Sequence, residues 1–327
     1  MDFDLTEDQR EIKAVAHELL GARSPFVKVR EAAESGEYDA GLWTEIVALG
    51  WPGIAVAERY GGQGLGAVEL AVLLEELGYA CAATPFLSTA VAAAVIQAAG
   101  SEDQRERWLP GLASGELTAG VGTTELAADA HGAAVVVLLD GEDARLVTEP
   151  RTEALVTIDP TRRFARVSAA GEPLEPGAAA RVHACLAAEV VGVCQRALDM
   201  TLEYVKDRKQ FGVPVGSFQA VAHRCAQMLL HTESARSTAC FAAWAADADP
   251  DRLAEASALA AAAAATGGRE VTGSAIQAHG GIGFTWEADV HWLYKRAQVD
   301  AALLGGAGRH HAALARAAAA RIAVPAP

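Results

Sequence analysis

The stretch Ile276-Gln277-Ala278-His279-Gly280-Gly281-Ile282-Gly283-Phe284-Thr285-Trp286-Glu287 decides how the C-terminal half of this chain is organised. An alanine-rich helical run from Leu253 to Ala275 precedes it, and another helical run follows from about Glu287. Three of four consecutive residues are glycine, and glycine ends helices and lets a backbone approach a ligand closely. The pattern predicts a tight turn between two helices, and a ligand contact at that turn is the second interpretation.

A second stretch, Asp207-Arg208-Lys209-Gln210-Phe211-Gly212, lies upstream at the end of a helical run. A guanidinium fork suits a diphosphate, and a helix end followed by glycine leaves backbone donors free. The alternative interpretation is a solvated basic helix end before a turn.

Together the two stretches resemble the acyl-CoA dehydrogenase family, and the resemblance extends over nearly the whole chain. In that family an Arg-x-x-Phe-Gly motif and a turn with a Gln and a Gly-Gly pair contact the pyrophosphate and the adenosine half of an FAD that the neighbouring subunit mainly holds. The resemblance therefore implies FAD as the cofactor. The residues in matching positions are Arg208, Gln210, Phe211, Gln219, Gln277, Gly280 and Gly281.

The expected fold is mainly α. Hydrophobic residues make up 51% of the 327 residues but aromatic residues only 6%, so much of the apolar content is alanine, the best helix former. The resemblance implies an acyl-CoA dehydrogenase-like architecture with an N-terminal α-helical domain in residues 1–116, a reduced β domain in 117–180 and a C-terminal four-helix bundle in 181–327.

The middle region departs from the family. Three short β-type runs, Ala134–Leu139, Arg145–Thr148 and Ala154–Ile158, predict a small antiparallel sheet. A complete family member has a larger β domain, in which a Thr-Glu-Pro-x-Ala-Gly-Ser segment and a Trp-Ile-Thr segment wrap the flavin ring. Here Thr123-Thr124-Glu125-Leu126-Ala127-Ala128 copies the first only in part, and residues 117–180 contain no Trp for the second.

The general base implied by the resemblance is missing from its usual position. In the family a glutamate removes the α-proton of the acyl group while the β-hydrogen leaves as hydride to flavin N5, and this glutamate follows a Tyr-Arg-x-Ala motif by about ten residues. Here Tyr294-Lys295-Arg296-Ala297 leads to Leu303–Gly308, which contains no Glu. Asp300 lies about one turn too early.

Some family members carry the base on the preceding helix, where Glu255 is the remaining candidate in this chain. The simpler interpretation of Glu255 is an acidic residue in the first turn of a helix, where the helix dipole favours it. His310 and His311 lack partners for a base or metal site and are expected at the surface of a helix end.

Composition limits the possible partners. A net charge of -15 disfavours binding to nucleic acid and to anionic membranes, so an anionic ligand needs a local basic site. The acidic N-terminus has no signal-peptide pattern, and the apolar run Ala256–Ala265 is too short for membrane insertion. Five scattered cysteines without metal-ligand spacing indicate buried thiols in the cytoplasm and no metal site.

The sequence therefore predicts an FAD-dependent acyl-CoA dehydrogenase that introduces an α,β double bond into an acyl-CoA. In actinobacterial sterol-degrading systems a short subunit resembling this chain pairs with a complete dehydrogenase subunit as α2β2. The resemblance implies that arrangement, a steroid or other bulky acyl-CoA substrate and an electron-transfer acceptor. Two alternatives stay open: a structural subunit without flavin, and a self-sufficient homo-oligomeric dehydrogenase that uses Glu255.

Overall fold

A computed structural model of the protein describes residues 4–123 and 126–323. Its N-terminal part is helical, and capping boxes start two of the helices: Thr6 with Gln9, and Ser101 with Gln104. The helices are α1 (Glu7–Arg23), α2 (Phe26–Ser35), α3 (Ala40–Ala48), α4 (Ala67–Tyr79), α5 (Phe86–Ala99) and α6 (Glu102–Ala113). Helix α5 has almost no polar face and is buried along most of its length, so it forms the centre of this part.

A seven-stranded sheet follows and includes most of the first two predicted β-type runs, but only Ala154 and Leu155 of the third. Its strands are β1 (Ala119–Thr123), β2 (Ala127–Ala128), β3 (Val135–Asp140), β4 (Asp143–Val147), β5 (Thr152–Leu155), β6 (Phe164–Val167) and β7 (Glu172–Pro173), in the spatial order β5-β6-β2-β1-β3-β4-β7.

The expectation of a purely antiparallel sheet is wrong in one place, because β1 and β3 pair in parallel. Strand β2 occupies one side of β1, so the chain crosses to the other side of β1 before β3 begins. Thr124 and Glu125, in the partial copy of the flavin-ring segment, lie outside the described residues.

The C-terminal part is the expected helical bundle. It consists of α7 (Ala178–Asp207), a hairpin of β8 (Lys209–Gln210) and β9 (Val213–Pro214), α8 (Gln219–Ala248), α9 (Leu253–His279), α10 (Val290–Leu303) and α11 (Ala307–Ala323). Helix α10 begins at Val290 rather than near Glu287, and Gly305 and Gly306, with φ of 76° and 75°, separate it from α11.

Glycines at the contact between α4 and α7 allow the N-terminal part to pack closely on the bundle. A side chain at Gly78 of α4 would overlap the backbone carbonyl of Glu189 in α7, and one at Gly192 of α7 would overlap the carbonyl of Glu75 in α4. These two close approaches leave α4 and α7 in backbone contact, and one continuous apolar core runs through both parts. Most of the described residues lie in helices, so the predicted mainly α fold is confirmed. The domain boundaries after residues 116 and 180 stay a proposal.

Candidate functional site

The two motifs that match the cofactor-contacting positions lie at the same end of the bundle. Helix α8 follows α7 in the chain and runs back along the bundle before α9 begins, so the C-terminal ends of α7 and α9 fall on the same side. There the ring of His279 stacks on the ring of Tyr204, with centroids 4.4 Å apart and planes 20° apart. The fold thus joins two segments that are about 70 residues apart in the sequence.

The hairpin at this end has an unusual turn. Phe211 and Gly212 form the two-residue connection between β8 and β9, with φ of 52° and 84°. Such turns normally use Asn-Gly or Asp-Gly because a left-handed conformation is costly for a bulky residue. Phe211 is nevertheless 94% exposed, so core packing does not explain it. A strained, exposed aromatic residue of this kind favours a functional role.

Arg208 is positioned by its backbone and leaves its side chain exposed. Its amide donates to the Tyr204 carbonyl at 2.9 Å, and its carbonyl accepts from the Val215 amide at 2.7 Å. Within residues 4–123 and 126–323 its guanidinium makes no hydrogen bond or ion pair, so its donors are available to an anion.

The two glutamine side chains near this hairpin are also exposed. The side-chain amide of Gln210 donates to the backbone carbonyl of Lys209 at 2.7 Å, and Gln219 is the exposed first residue of α8.

The three glycines after α9 have different roles. A side chain at Gly283 would overlap the carbonyl of Ile276, and Gly280 adopts a φ of 63°. Gly281 has neither constraint, because open space lies where its Cβ would be. Gln277 is exposed one turn before this segment. The surface formed by Gln277, Gly280 and Gly281 can therefore accept the close approach of a flat or extended ligand.

The window Leu303–Gly308 carries no carboxylate, and its leucines are buried. Leu303 is 2% exposed and Leu304 is fully buried. His310 donates from Nε2 to the Leu304 carbonyl at 2.6 Å. The expectation that His310 lies at the surface is wrong, because the first turn of α11 directs it inward, where it is 3% exposed.

A crevice of about 560 Å³, which His310 also lines, lies between α7, the start of α9, α11 and the turn between β3 and β4. Its walls include His183 and Ser257, which are buried and whose Nε2 and Oγ atoms have no hydrogen-bond partner. Burial, followed by the nearby His310, lowers the pKa of His183 to about 3, so its imidazole is neutral. The sequence patterns predict no role for these two residues; a single His inside the apolar stretch of α7 is the signal that the sequence offers.

Glu255 lines the same crevice but is held by a cation. Arg321 binds its two carboxylate oxygens from Nη1 and Nη2 at 3.1 and 2.6 Å. This hydrogen bonding holds the pKa of Glu255 below its ordinary value. A catalytic base in a dehydrogenase needs a pKa raised toward neutrality, so the environment of Glu255 is opposite to the one required.

Two further properties concern the described part of the chain. Among residues 4–123 and 126–323, no group of three or more His, Cys, Asp or Glu side chains is arranged to hold a metal ion. In the same part of the chain, every helix is too short or too polar to cross a membrane.

Comparison with known proteins gives consistent matches over both helical parts. Residues 6–116 match the acyl-CoA dehydrogenase N-terminal domain, and residues 179–319 match the acyl-CoA dehydrogenase C-terminal domain. The acyl-CoA dehydrogenase IpdE2 of Mycobacterium tuberculosis is 35% identical over 307 residues, which cover 91% of this chain and 93% of that protein.

Solved structures show the same similarity over the full length. A chain from a variant of the steroid ACAD Tcur3481–Tcur3483 aligns with a TM-score of 0.88 at 28% identity and covers 97% of this chain and 99% of that chain. A chain of the ChsE4–ChsE5 complex from Mycobacterium tuberculosis aligns with a TM-score of 0.86 at 25% identity and covers 100% of both. These matches agree with the fold class that the sequence predicts.

Proposed function

The chain belongs to the acyl-CoA dehydrogenase family of FAD-dependent oxidoreductases, and on that premise we propose that it is the non-base-supplying subunit of a heteromeric enzyme. The observation that carries the proposal is the window Leu303–Gly308, which contains no carboxylate and is closed by buried leucines. The partner is a complete acyl-CoA dehydrogenase subunit, in an α2β2 assembly, which supplies the base.

In this proposal the chain contributes to an FAD at a subunit interface. FAD, when bound, supplies the hydride acceptor for α,β-desaturation. Arg208 and Gln210 reach its pyrophosphate, and Phe211 and Gln219 lie beside them. Gln277, Gly280 and Gly281 meet the adenosine half. The free guanidinium of Arg208 and the open space at Gly281 support this assignment.

The proposed substrate is a steroid or other bulky acyl-CoA, oxidised in the cytoplasm with an electron-transfer protein as the acceptor. The solved steroid ACAD that this chain resembles supports the substrate class. The five cysteines are all free thiols, which agrees with a reducing compartment.

We expect the purified chain to be a dimer or tetramer at micromolar concentration, by light scattering. Apolar side chains that a monomer would leave in water support this: Phe284 is 75% exposed and Trp286 is 70% exposed at the cofactor end, and Leu229 and Leu230 are 50% and 57% exposed on α8. Replacing both leucines with Glu should weaken association by about tenfold or more, since full burial of a leucine stabilises by about 1.5–3 kcal/mol and each of these is already about half buried.

The matched control for association is Leu65→Glu, because Leu65 is 44% exposed in the loop before α4, and the start of α4 contacts α8 at Asp247, 17 residues beyond Leu230. This variant should keep the oligomeric state of the wild type. A monodisperse wild-type monomer at micromolar concentration would contradict the assembly.

Replacing Arg208 with Ala should weaken FAD retention by about tenfold to a hundredfold. The change removes a charge-assisted hydrogen bond to a diphosphate, which contributes about 1.5–3 kcal/mol. The measurement is the flavin occupancy of the assembled protein, from its visible absorption, after extensive dialysis.

The matched control for this change is Arg151→Ala, which removes another exposed arginine from the loop before β5. It should leave flavin occupancy unchanged. If Arg208→Ala also retains all its flavin, Arg208 is only a surface cation. If the wild-type assembly carries no flavin, the structural-subunit alternative is correct.

A self-sufficient dehydrogenase that uses Glu255 is the second candidate. The specific observation in its favour is that Glu255 lines the 560 Å³ crevice together with the buried His310 of α11. The ion pair with Arg321 opposes it, and turnover of the Glu255→Gln variant separates the two proposals.

A further inference from the structure

A cluster of five charged side chains lies buried where the sheet region, α7 and α10 meet. Asp159 and Arg162 precede β6, Glu189 lies in α7, and Arg296 and Asp300 lie in α10. Each is at most 4% exposed, and Arg296 is the largest fully buried side chain of the described residues. Charged groups are rarely buried this completely unless they are paired.

The two arginines connect all three carboxylates. Arg296 donates from Nε to Asp159 Oδ2 at 2.7 Å and from Nη1 to Glu189 Oε1 at 3.0 Å. Arg162 donates from Nη1 to Asp300 Oδ1 at 2.8 Å and from Nη2 to the same Glu189 Oε1. Glu189 Oε1 is therefore shared by both guanidinium groups, and Arg162 holds Glu189 and Asp300 side by side.

The cluster contains one negative charge too many. Three carboxylates face two guanidinium groups, and an unbalanced charge in a dry interior is costly. Burial raises the pKa of the neighbouring thiols Cys81 and Cys194 to about 12, so they stay neutral.

The other groups around the cluster do not balance this charge. Asp129 and Tyr38 interact with Arg162 only at longer range, and Asp129 is held by the hydroxyls of Tyr38 and Ser88. Lys295 interacts with Asp159 at longer range, with its ammonium against the rings of Trp286 and Trp292. Where α9 packs on α10, it presents Gly268 to Ala297.

Two oxygens in the cluster have no partner. Glu189 Oε2 and Asp300 Oδ2 are buried and accept no hydrogen bond from any described group. They belong to the two carboxylates that Arg162 holds side by side through their other oxygens. A proton on one carboxylate would both cancel the excess charge and turn one unpartnered acceptor into a donor for the other.

We propose that Glu189 and Asp300 share one proton, which completes a pH-sensitive tie between the sheet region, α7 and α10. Supporting this, burial and then the adjacent Glu189 raise the pKa of Asp300 to about 8. The tie lies one turn before Leu303 and Leu304, so its opening would loosen the segment that leads into the window.

The sign of the pH dependence follows from the raised pKa. The folded chain keeps the proton from the ordinary value of 3.8 up to about 8, whereas the unfolded chain loses it above 3.8. The folded state then binds more protons, so stability falls as pH rises through this interval and is lowest above about 8.

The test is the thermal midpoint of unfolding, Tm, of wild type and Asp300→Asn at pH 6 and pH 9. The amide that Asp300→Asn introduces cannot ionise, and it can donate to Glu189 as the protonated acid does. From pH 6 to pH 9 the Tm of wild type should therefore fall further than the Tm of the variant, by at least about 2 °C. The matched control is Asp140→Asn, the same change at an exposed position at the end of β3, and it should follow wild type.

A second measurement decides the question even if Asp300→Asn does not fold. The infrared spectrum of the wild type at pH 6 should contain the carbonyl stretch of a neutral carboxylic acid, which disappears by pH 9. A folded Asp300→Asn variant should lack this titrating band. If the wild type lacks such a band, the proposal of a shared proton is wrong. It is also wrong if the variant keeps the titrating band and shows the same decrease in Tm as wild type.

Discussion

Purified alone, this chain should oxidise acyl-CoA thioesters at no more than about one hundredth of the rate of its complex with a complete partner subunit. The physical reason is the missing base: proton transfer by a positioned side chain contributes about 10²- to 10⁴-fold to rate, and Leu303–Gly308 offers no carboxylate for it. The measurement is turnover with an artificial electron acceptor, before and after the partner is added.

Variants locate the base within the restored complex. Replacing the partner's catalytic glutamate with Gln should reduce turnover by about 10²-fold or more. Glu255→Gln in this chain should change it by no more than about twofold, because Arg321 already neutralises Glu255. Glu142→Gln is the matched control, since Glu142 lines the same crevice and pairs with Arg309.

The opposite result is equally specific. Robust activity of the lone chain that Glu255→Gln destroys and Glu142→Gln leaves intact would establish a self-sufficient enzyme. That result would not decide the flavin contact of Arg208, which the flavin occupancy of Arg208→Ala tests. It would also not decide the shared proton of Asp300, which the Tm and infrared measurements test.

Local patterns in the sequence predicted much of the fold. Thr6 with Gln9, and Ser101 with Gln104, mark helix starts because both reciprocal bonds of a capping box fall within four residues. The signals for the β-type runs and for the glycines that end helices are likewise carried by residues close together in the sequence. The two motifs at the cofactor end were recognisable because each is a continuous stretch, although their meeting through Tyr204 and His279 required the fold.

Long-range partners could not be predicted from these patterns. Arg162 and Asp300 are 138 residues apart, and Arg296 and Asp159 are 137 apart, so no periodicity links them. Arg296 lies within the motif Tyr294-Lys295-Arg296-Ala297, but the sequence does not show that its side chain is buried. The parallel β1–β3 pair and the inward turn of His310 depend on tertiary packing in the same way.

Replacing Arg296 with Met should destabilise the folded chain by about 3–5 kcal/mol. Removing one partner of a buried ion pair leaves the opposite charge without compensation, and here one guanidinium serves Asp159, Glu189 and Thr161. Met keeps most of the apolar stem, so the loss reports the missing charge and donors rather than a cavity. The measurement is the free energy of unfolding from urea denaturation at neutral pH.

The matched control is Arg309→Met, because Arg309 forms a single ion pair with Glu142, whose side chain is 73% exposed. Exposed pairs contribute about 0–1 kcal/mol, so this variant should stay within about 1 kcal/mol of wild type. A similarly small effect of Arg296→Met would mean that the remaining carboxylates take up protons at little cost.

The loss of unfolding free energy in Arg296→Met should also grow as pH rises from 6 to 9, since removing a positive charge leaves three acids against Arg162 alone.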